Sequence, residues 1–416
     1  MKQIPELCGR ESKIWYTPCR YYSTAFNTKM PIQLSSYRAV LPLALIYALR
    51  MLGLFMLIPL MALYAEQLAG ATPGLMGIAF GIYGLTQACL QIPFGALSDH
   101  YGRKHLITFG LVLFIIGSLL AALSTSIYGL IAGRALQGAG AISGVVIALV
   151  ADLTPEKERT LAMMIIGISI GATFSIAFAI SPPLAAYFGV PDLFVITAIL
   201  GLASIAVLYT LVPTPNEPTK RPATLNKCQI LQICLEPRLL RLDISIFLLH
   251  ALLAITFIAV PFLLQETLGI NSKQHGAIYL PVLLASFVGL LPLLALSQQP
   301  RFAKFLVPAT VILLGIAQLG FFMTKSNLWG VYISLWLFFV AFNFLEASLP
   351  AMIAKTAPAE HKGLALGAYS TAQFLGIFVG GGLGGLLLDS LGLSALFLGG
   401  LFITFMWLVL ISAIRT

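Results

Sequence analysis

Residues 105–124, HLITFGLVLFIIGSLLAALS, decide the fold because they form a long run without Asp, Glu, Lys or Arg. A helix that crosses a bilayer needs about 20 mostly apolar residues, since its backbone polar groups must bond within the segment. Such runs are too long and too uniformly apolar for the strands of a transmembrane barrel. The sequence therefore predicts an all-α membrane protein whose twelve spans, numbered in chain order, lie near 39–64, 74–98, 105–124, 127–152, 160–187, 192–212, 241–266, 275–297, 303–323, 328–354, 362–388 and 394–414.

The composition excludes a soluble protein. Of the 416 residues, 59% are apolar and 9% are charged, whereas a soluble domain typically has about 25% charged residues. So few polar side chains cannot cover a water-facing surface, and lipid must solvate the remainder. The net charge of +9 does not indicate nucleic acid, because the basic residues are grouped in loops. The five cysteines show neither metal-ligand spacing nor the density of a disulfide scaffold.

The distribution of Lys and Arg predicts the orientation in the membrane. If both termini lie inside, the inner segments contain 20 of these residues, and the outer loops contain only Lys273 and Lys325. Positive charge concentrates on the cytoplasmic side of membrane proteins. We therefore expect both termini in the cytoplasm.

The longest internal polar stretch, residues 213–240, contains five prolines and reads as a cytoplasmic linker. It would separate an N-terminal six-helix bundle, 39–212, from a C-terminal one, 241–414. An internal repeat at an offset of 203 residues supports two pseudo-symmetric halves. The matches are Pro155, Arg159, Leu161, Ala162, Leu184, Gly189, Leu193 and Phe194 with Pro358, Lys362, Leu364, Ala365, Leu387, Gly392, Leu396 and Phe397.

Residues 1–38 lack the apolar core of a secretory signal. We expect a cytoplasmic tail, and translation that begins at Met30 is an alternative because this methionine lies shortly before span 1. A mitochondrial targeting peptide is a weaker alternative, since the segment contains Glu6 and Glu11.

The loop between spans 2 and 3 contains the most specific motif, Gly95-Ala-Leu-Ser-Asp99-His-Tyr-Gly102-Arg103-Lys104. Glycine gives such a turn its backbone freedom, and an acid beside a basic cluster can form pairs that differ between conformations. The alternative is a short loop whose positive charge only sets the orientation in the membrane. That would explain Arg103 and Lys104 but not the ordered Gly95, Asp99 and Gly102. The motif resembles the signature of the major facilitator superfamily between these spans, G-x-L-a-D-r-x-G-r-k.

The resemblance extends over all twelve spans. Span 4 carries Arg134-Ala-Leu-Gln137-Gly138-Ala-Gly140-Ala, similar to the superfamily motif R-x-x-Q-G-x-g-a, and it ends in Asp152. With Arg50-Met-Leu-Gly, Gly81-Ile-Tyr-Gly-Leu-Thr-Gln and Phe338-Phe-Val-Ala-Phe-Asn343, the chain resembles YajR-type members of the drug:proton antiporter branch. Some of these have a soluble C-terminal domain, which we do not expect because the chain ends shortly after span 12.

The resemblance implies a conformational latch formed by Gly95, Asp99, Gly102, Arg103, Lys104 and Asp152. Asp99 would face the start of span 11 near Gly363, where helix N–H groups favour an anion, and Arg103 would pair with Asp152. These contacts would stabilise the outward-facing state and would break when the halves rock. The branch's glycine-rich motif in span 5 is replaced by Ser181-Pro182-Pro183, with Gly167 and Gly171 earlier. We expect these residues to bend the helix and pack against span 8.

Charged or titratable side chains inside a bilayer are costly, and they are therefore candidates for function. The resemblance implies that spans 1, 4, 7 and 10 line a central cavity, and these contain Arg50, Arg134, His250 and Glu346 respectively. A rise of about 1.5 Å per residue places His250 and Glu346 at a similar depth, about 12 to 14 Å from the inner face. We expect Arg50 and Arg134 to form a cationic wall of the cavity and His250 and Glu346 to form a titratable wall opposite it. Glu346 is the expected proton site.

Structural roles are the alternatives. Glu346 would then bond to its own bundle, His250 would be a packing residue, and Arg50 would bond to helix-end carbonyls. The uncharged polar residues either orient substrate or link neighbouring helices; they are Gln91, Gln137, Asn343 and Gln373.

The sequence contains no phosphate-binding loop, H-E-x-x-H motif or cysteine cluster, so no cofactor or metal is expected, and an ion gradient remains as the energy source. We predict a monomeric, non-enzymatic secondary transporter in a bacterial inner membrane, with a small molecule, protons and lipid as its partners. It would export an amphiphilic or drug-like compound in exchange for protons. The alternatives are an uptake or facilitated-diffusion carrier for a polar or anionic metabolite and, more remotely, a receptor or scaffold.

Overall fold

The computed structural model describes residues 34–155, 158–214, 232–233, 235–358 and 362–412. Residues 1–33 of the predicted tail, with Met30, lie outside this part of the chain, as do residues 215–231 of the predicted linker.

Helices make up the regular structure of the described residues. The fourteen α-helices are α1 Leu34–Phe55, α2 Met61–Glu66, α3 Pro73–Tyr101, α4 Arg103–Ala122, α5 Ile127–Ala139, α6 Ser143–Leu153, α7 Arg159–Phe188, α8 Val190–Thr210, α9 Pro237–Phe262, α10 His275–Ser297, α11 Pro300–Met323, α12 Leu328–Thr356, α13 Lys362–Leu391 and α14 Leu393–Ser412. Eleven spans in this part of the chain are long and apolar enough to cross a membrane, and Ala39–Phe55 is a shorter apolar segment in the position of span 1. The prediction of an all-α membrane protein is confirmed.

Spans 1 and 4 are each divided into two helices, which the apolar pattern does not indicate. Span 1 consists of α1 and α2, and span 4 consists of α5 and α6 with residues 140–142 between them. In span 4, Gly138 packs so closely on α3 that a Cβ there would clash with the backbone of Tyr83, and Gly140 lies equally close to Gly110. At the break the carbonyl of Gly140 accepts from the N–H of Ile142 at 2.8 Å instead of forming the usual helical bond, and it can accept from a side chain as well.

The helices pack in two groups, α1–α8 and α9–α14, and the largest single contact between helices, that of α3 with α13, joins the two groups. The ends of α13 lie 203 residues after the ends of α7, which is the offset of the sequence repeat. Gly189 and Gly392, which have the same offset, both have positive φ angles, of 92° and 75°, directly before α8 and α14. A residue with a Cβ atom rarely adopts such backbone angles, so glycine is favoured at both turns.

The two groups meet on one side of the membrane only. We call the side at which α8 ends and α9 begins the linker side, and the opposite one the far side. Near the far side, α3 packs on α13 so closely that a Cβ on Gly77 would clash with the backbone of Gly381 and Gly385. The acids Glu66 and Glu266 also interact there, and burial together with Glu266 raises the pKa of Glu66 above its usual value. The far side is therefore closed.

On the linker side the groups are separated. Five glycines of α3, α7 and α13 near this side have open space where a Cβ would stand, with no described residue of another element within 4 Å. They are Gly95, Gly167, Gly171, Gly363 and Gly367. We interpret this open space along the linker-side halves of the two groups as a cavity that opens to the linker side.

Candidate functional site

Three helices of the C-terminal group bring a carboxylate, an amide and an imidazole together. Gln373 of α13 lies between the other two side chains, with its Nε2 3.2 Å from Oε1 of Glu346 and 2.9 Å from Nε2 of His250. Nε2 of His250 is 3.7 Å from Oε2 of Glu346. The sequence placed His250 and Glu346 at a similar depth, and the structure joins them through Gln373.

The hydrogen bonds define the tautomer of His250. Its Nδ1 lies 3.2 Å from the carbonyl oxygen of Ile246, and because a carbonyl only accepts, Nδ1 carries the proton. With the amide placed in this orientation, Nε2 is left to accept from Gln373, and the other amide hydrogen is donated to Glu346. This arrangement describes a neutral imidazole, since a protonated ring would have donors at both nitrogens.

Glu346 is the member of this group that faces the cavity. Its side chain is 28% exposed, whereas that of His250 is 6% exposed. Its Oε2 has no hydrogen-bond partner among the described residues. One carboxylate oxygen is thus held by Gln373, and the other is buried without a hydrogen-bond partner among the described residues, 3.7 Å from Nε2 of His250.

Arg50 lies inside the N-terminal group, not on a cavity wall. It is 1% exposed and donates hydrogen bonds to Ser143 Oγ at 3.1 Å, Tyr83 Oη at 3.0 Å, Gln87 Oε1 at 2.7 Å and the carbonyl of Gly140 at 3.0 Å. The expectation that Arg50 lines the cavity is therefore wrong, because the break in span 4 and three neutral side chains enclose it. Of the two roles proposed from the sequence, carbonyl bonding is the one observed.

Arg134 is also buried, at 4% exposure. It donates to Oε1 of Gln137 at 3.0 Å and lies over the ring of Tyr83 at 5.1 Å. Gln137 in turn donates to Ser118 at 2.8 Å. Nε of Arg134 has no partner among the described residues. Neither buried arginine pairs with a carboxylate in this part of the chain, although Tyr47 of α1 interacts electrostatically with both Arg50 and Glu346.

Asn343, which lies one turn before Glu346, contacts a neighbouring helix. Its amide donates to Ser286 of α10 at 3.1 Å. This bond links two helices of the C-terminal group, as the alternative role for the uncharged polar residues requires.

The loop motif at the linker-side end of α3 forms a charged cluster. Arg103 lies 2.6 Å from Asp99 and 3.1 Å from Asp152, and it also contacts Ser98. Gly102 has a φ angle of 88°, and this left-handed turn starts α4 at Arg103. The structure thus joins Arg103 to Asp152, as the resemblance implies. Among the described residues no contact joins Asp99 to Gly363, and the space around that glycine is open.

Lys104 extends the cluster to the end of α8. Its Nζ donates to the carbonyl oxygen of Val212 at 2.6 Å and to Thr214 at 3.3 Å.

The residues of span 5 divide into two sets. Pro182 and Pro183 lie against α10 at Gly276, where a Cβ would come within 3.0 Å of each ring. Gly167 and Gly171, which were expected to pack against span 8, face open space. That expectation is wrong for this conformation, because both glycines are in the half of α7 that borders the open cavity.

Aromatic rings from both groups pack together beside the polar site. Phe174 stacks on Phe342 with ring centroids 5.6 Å apart, and Phe178 contacts Phe257 at 4.9 Å and Phe339 at 5.9 Å. Phe342 also contacts His250 at 5.7 Å. These rings give the site an apolar wall.

Two buried polar residues were missed from the sequence. Asp243 of α9 is 8% exposed and Tyr369 of α13 is 5% exposed. Asp243 precedes His250 by seven residues, so both lie on one face of α9, and this spacing could have identified it. Tyr369 precedes Gln373 by four residues and could have been identified in the same way. No three His, Cys, Asp or Glu side chains of the described residues are grouped as metal ligands.

Comparisons with known proteins agree with this architecture. The Major Facilitator Superfamily model matches residues 43–344 and 242–416. The chain is 42% identical over 379 residues to Inner membrane transport protein YajR of Escherichia coli, covering 91% of this chain and 83% of that protein. It is 27% identical over 377 residues to Multidrug resistance protein 2 of Bacillus subtilis, covering 86% of this chain and 92% of that protein.

A solved structure has the same fold. The nucleoside transporter NupG superposes with a TM-score of 0.70 at 14% sequence identity, covering 91% of this chain and all of that one. With the family match and the identity to YajR, the two groups of membrane helices and the cavity between them identify the chain as a member of the Major Facilitator Superfamily, a family of membrane transporters and not of enzymes.

Proposed function

We propose that this protein is a proton-coupled antiporter that exports a small amphiphilic compound, with the linker side facing the cytoplasm. The observation that carries the proposal is the Glu346–Gln373–His250 group, in which one carboxylate oxygen is held and the other has no partner among the described residues. The names of the relatives, an inner membrane transport protein and a multidrug resistance protein, support an inner-membrane location and drug-like substrates.

The free oxygen of Glu346 gives a physical basis for exchange. An unpaired carboxylate charge is costly in a closed, low-dielectric chamber. A proton removes that charge, and a cationic or hydrogen-bonding substrate compensates for it. We propose that the proton and the substrate compete for Glu346. The chamber then closes when either of them is bound, and it does not close around the unpaired carboxylate. Each cycle then exchanges substrate for proton.

The aromatic cluster supports an amphiphilic substrate. A compound that lies against Phe342 and extends a polar group to Glu346 would use both parts of the site.

The charged cluster at Arg103 would act in the change of access. In this conformation Asp99 is bound by Arg103 and the start of α13 is separated from it. Closure of the linker side would bring α13 towards Asp99, whose charge is favoured at a helix N-terminus. We propose that Asp99, Arg103 and Asp152 form the latch of the opposite state, with Lys104, Gly95 and Gly102 shaping the turn.

The second candidate is uptake or facilitated diffusion of a polar or anionic metabolite. It is favoured by Arg50 and Arg134, which carry positive charge inside the N-terminal group without a carboxylate partner among the described residues. Arg50 is held by four hydrogen bonds to neutral groups, whereas Arg134 donates only to Gln137, so Arg134 would be the residue that contacts an anion. A thermal-stability screen of the purified protein with drugs, sugars and organic anions separates the two candidates by the class of compound that stabilises it.

The proposed proton site is tested by Glu346→Gln. The amide keeps the shape of the side chain but does not titrate, so the transport rate should lose its dependence on pH while substrate exchange continues. The measurement is the transport rate, across a pH series in vesicles, of a compound found in the stability screen. Asp389→Asn, which changes an exposed acid near the far-side end of α13, is the control and should keep the wild-type profile. An unchanged pH profile in Glu346→Gln would refute this role.

A further inference from the structure

The linker-side half of the C-terminal group contains a second buried carboxylate, Asp243, which the exchange mechanism above does not use. The residue is 8% exposed, and its Oδ1 has no hydrogen-bond partner among the described residues. A buried carboxylate without hydrogen bonds is costly when charged. The unpartnered Oδ1 makes Asp243 a candidate for binding or for moving protons.

Tyr369 connects Asp243 with the proposed proton site. It lies one turn before Gln373 on α13, as Asp243 lies two turns before His250 on α9, so both residues are on the helix faces that carry the proposed proton site. The hydroxyl of Tyr369 is buried and, like Oδ1 of Asp243 and Oε2 of Glu346, lacks a hydrogen-bond partner in the described part of the chain. A phenol hydroxyl both donates and accepts a hydrogen bond, which is what a group between two carboxyls must do to pass a proton.

The depths of these residues place them in order along the membrane normal. Counted from the linker-side helix ends, Asp243 lies about 9 Å deep, Tyr369 about 10 Å and Glu346 about 15 Å. Asp243 and Tyr369 form a shallow layer, and Glu346, Gln373 and His250 form a deeper one. The shallow layer lies between the proton site and the side to which the cavity opens.

The other titratable groups on these helices do not compete for this role. On α9, His250 is bonded to Ile246 and Gln373, and Arg238 is exposed at the start of the helix, with Arg241 also near that end. Trp407 of α14 does not titrate, and its indole N–H donates to Ser245 at 3.0 Å. On α12, Lys355 is exposed in the last turn.

We propose that Asp243 and Tyr369 form a proton relay between linker-side water and Glu346. Asp243 donates its proton to Oη of Tyr369, and Tyr369 passes its own hydroxyl proton to Oε2 of Glu346. Glu346 becomes neutral, Asp243 becomes charged, and the phenol is regenerated. Water on the linker side then protonates Asp243, and release follows the reverse order. This inference rests on the proposed function, since it requires Glu346 to be the proton site.

The test uses the proton itself as the probe. Purified protein in detergent is subjected to a rapid pH jump, and the infrared band of the protonated Glu346 carboxyl is followed in time. The band is assigned by its loss in Glu346→Gln. In Asp243→Asn and in Tyr369→Phe we expect the band to appear at least about tenfold more slowly, because positioned proton-transfer groups contribute about a hundredfold or more to rates.

Two matched controls separate a relay from a structural effect. Tyr279→Phe removes another buried hydroxyl that has no partner among the described residues, on α10, and Asp389→Asn removes an exposed acid of α13. Both should leave the rate unchanged. Wild-type rates in Asp243→Asn and Tyr369→Phe would overturn the relay while leaving Glu346 as the proton site. If Glu346→Gln removes no pH-dependent band, the proposed function itself fails.

Discussion

At the scale of single residues, the protein uses its few intramembrane charges in two different ways. Arg50 is bound by four neutral acceptors, whereas Glu346 keeps one oxygen without a partner among the described residues. A charge held by four hydrogen bonds stabilises one structure, and a charge held by a single bond can change partners. We therefore assign Arg50 to the stability of the N-terminal group and Glu346 to transport.

The assignment of Arg50 predicts the effect of Arg50→Lys. An ammonium group keeps the charge but cannot reach the same four acceptors, so buried oxygens lose their partners at a cost of about 1–3 kcal/mol each. The thermal midpoint of the purified protein should fall substantially, by several degrees. Arg238→Lys, at an exposed position of α9, is the control and should leave the midpoint unchanged. Equal midpoints for Arg50→Lys and the wild type would show that the network contributes little.

At the scale of elements, the sequence predicted the positions of the helices well because a membrane span is defined by length and apolar composition alone. It did not predict the break in span 4. That break depends on the close approach of Gly138 to α3 and of Gly140 to Gly110, which are contacts between elements distant in the chain. The depth estimate placed Glu346 and His250 together, but it could not identify Gln373 as their link or show that Arg50 points into its own group.

The contact between α3 and α13 predicts the effect of Gly77→Ala. The added methyl group would clash with the backbone of Gly381 and Gly385, so the closed far side should become less populated. The measurement is the distance between spin labels at Glu66 and Glu266 in a variant without native cysteines; the short distance should lose population.

Gly74→Ala is the matched control for this experiment. It lies one turn earlier on α3 and has open space around it, so its distance distribution should stay that of the parent. An unchanged distribution in Gly77→Ala would mean that the glycine contact does not hold the far side closed.

At the scale of the whole molecule, the structure represents one end of a transport cycle. The far side is closed by glycine contacts and by the aromatic cluster, and the linker side is open at Gly167, Gly171, Gly363 and Gly367. The sequence could indicate a duplicated unit, but it could not show which side is open. The state open to the linker side and the state open to the far side are built from the same helices. Transport in the proposed sense requires the second state, in which the linker side closes and Glu346 is reached from the far side.

The most direct test of proton-coupled exchange is the proton movement that accompanies substrate flux. Protein is reconstituted in vesicles that contain a pH-sensitive dye, and a gradient of a compound found in the stability screen is applied without a pH gradient. Substrate leaving one compartment should draw protons into it, and Glu346→Gln should carry substrate without moving protons. Substrate flux through the wild-type protein with no change in pH would contradict the account.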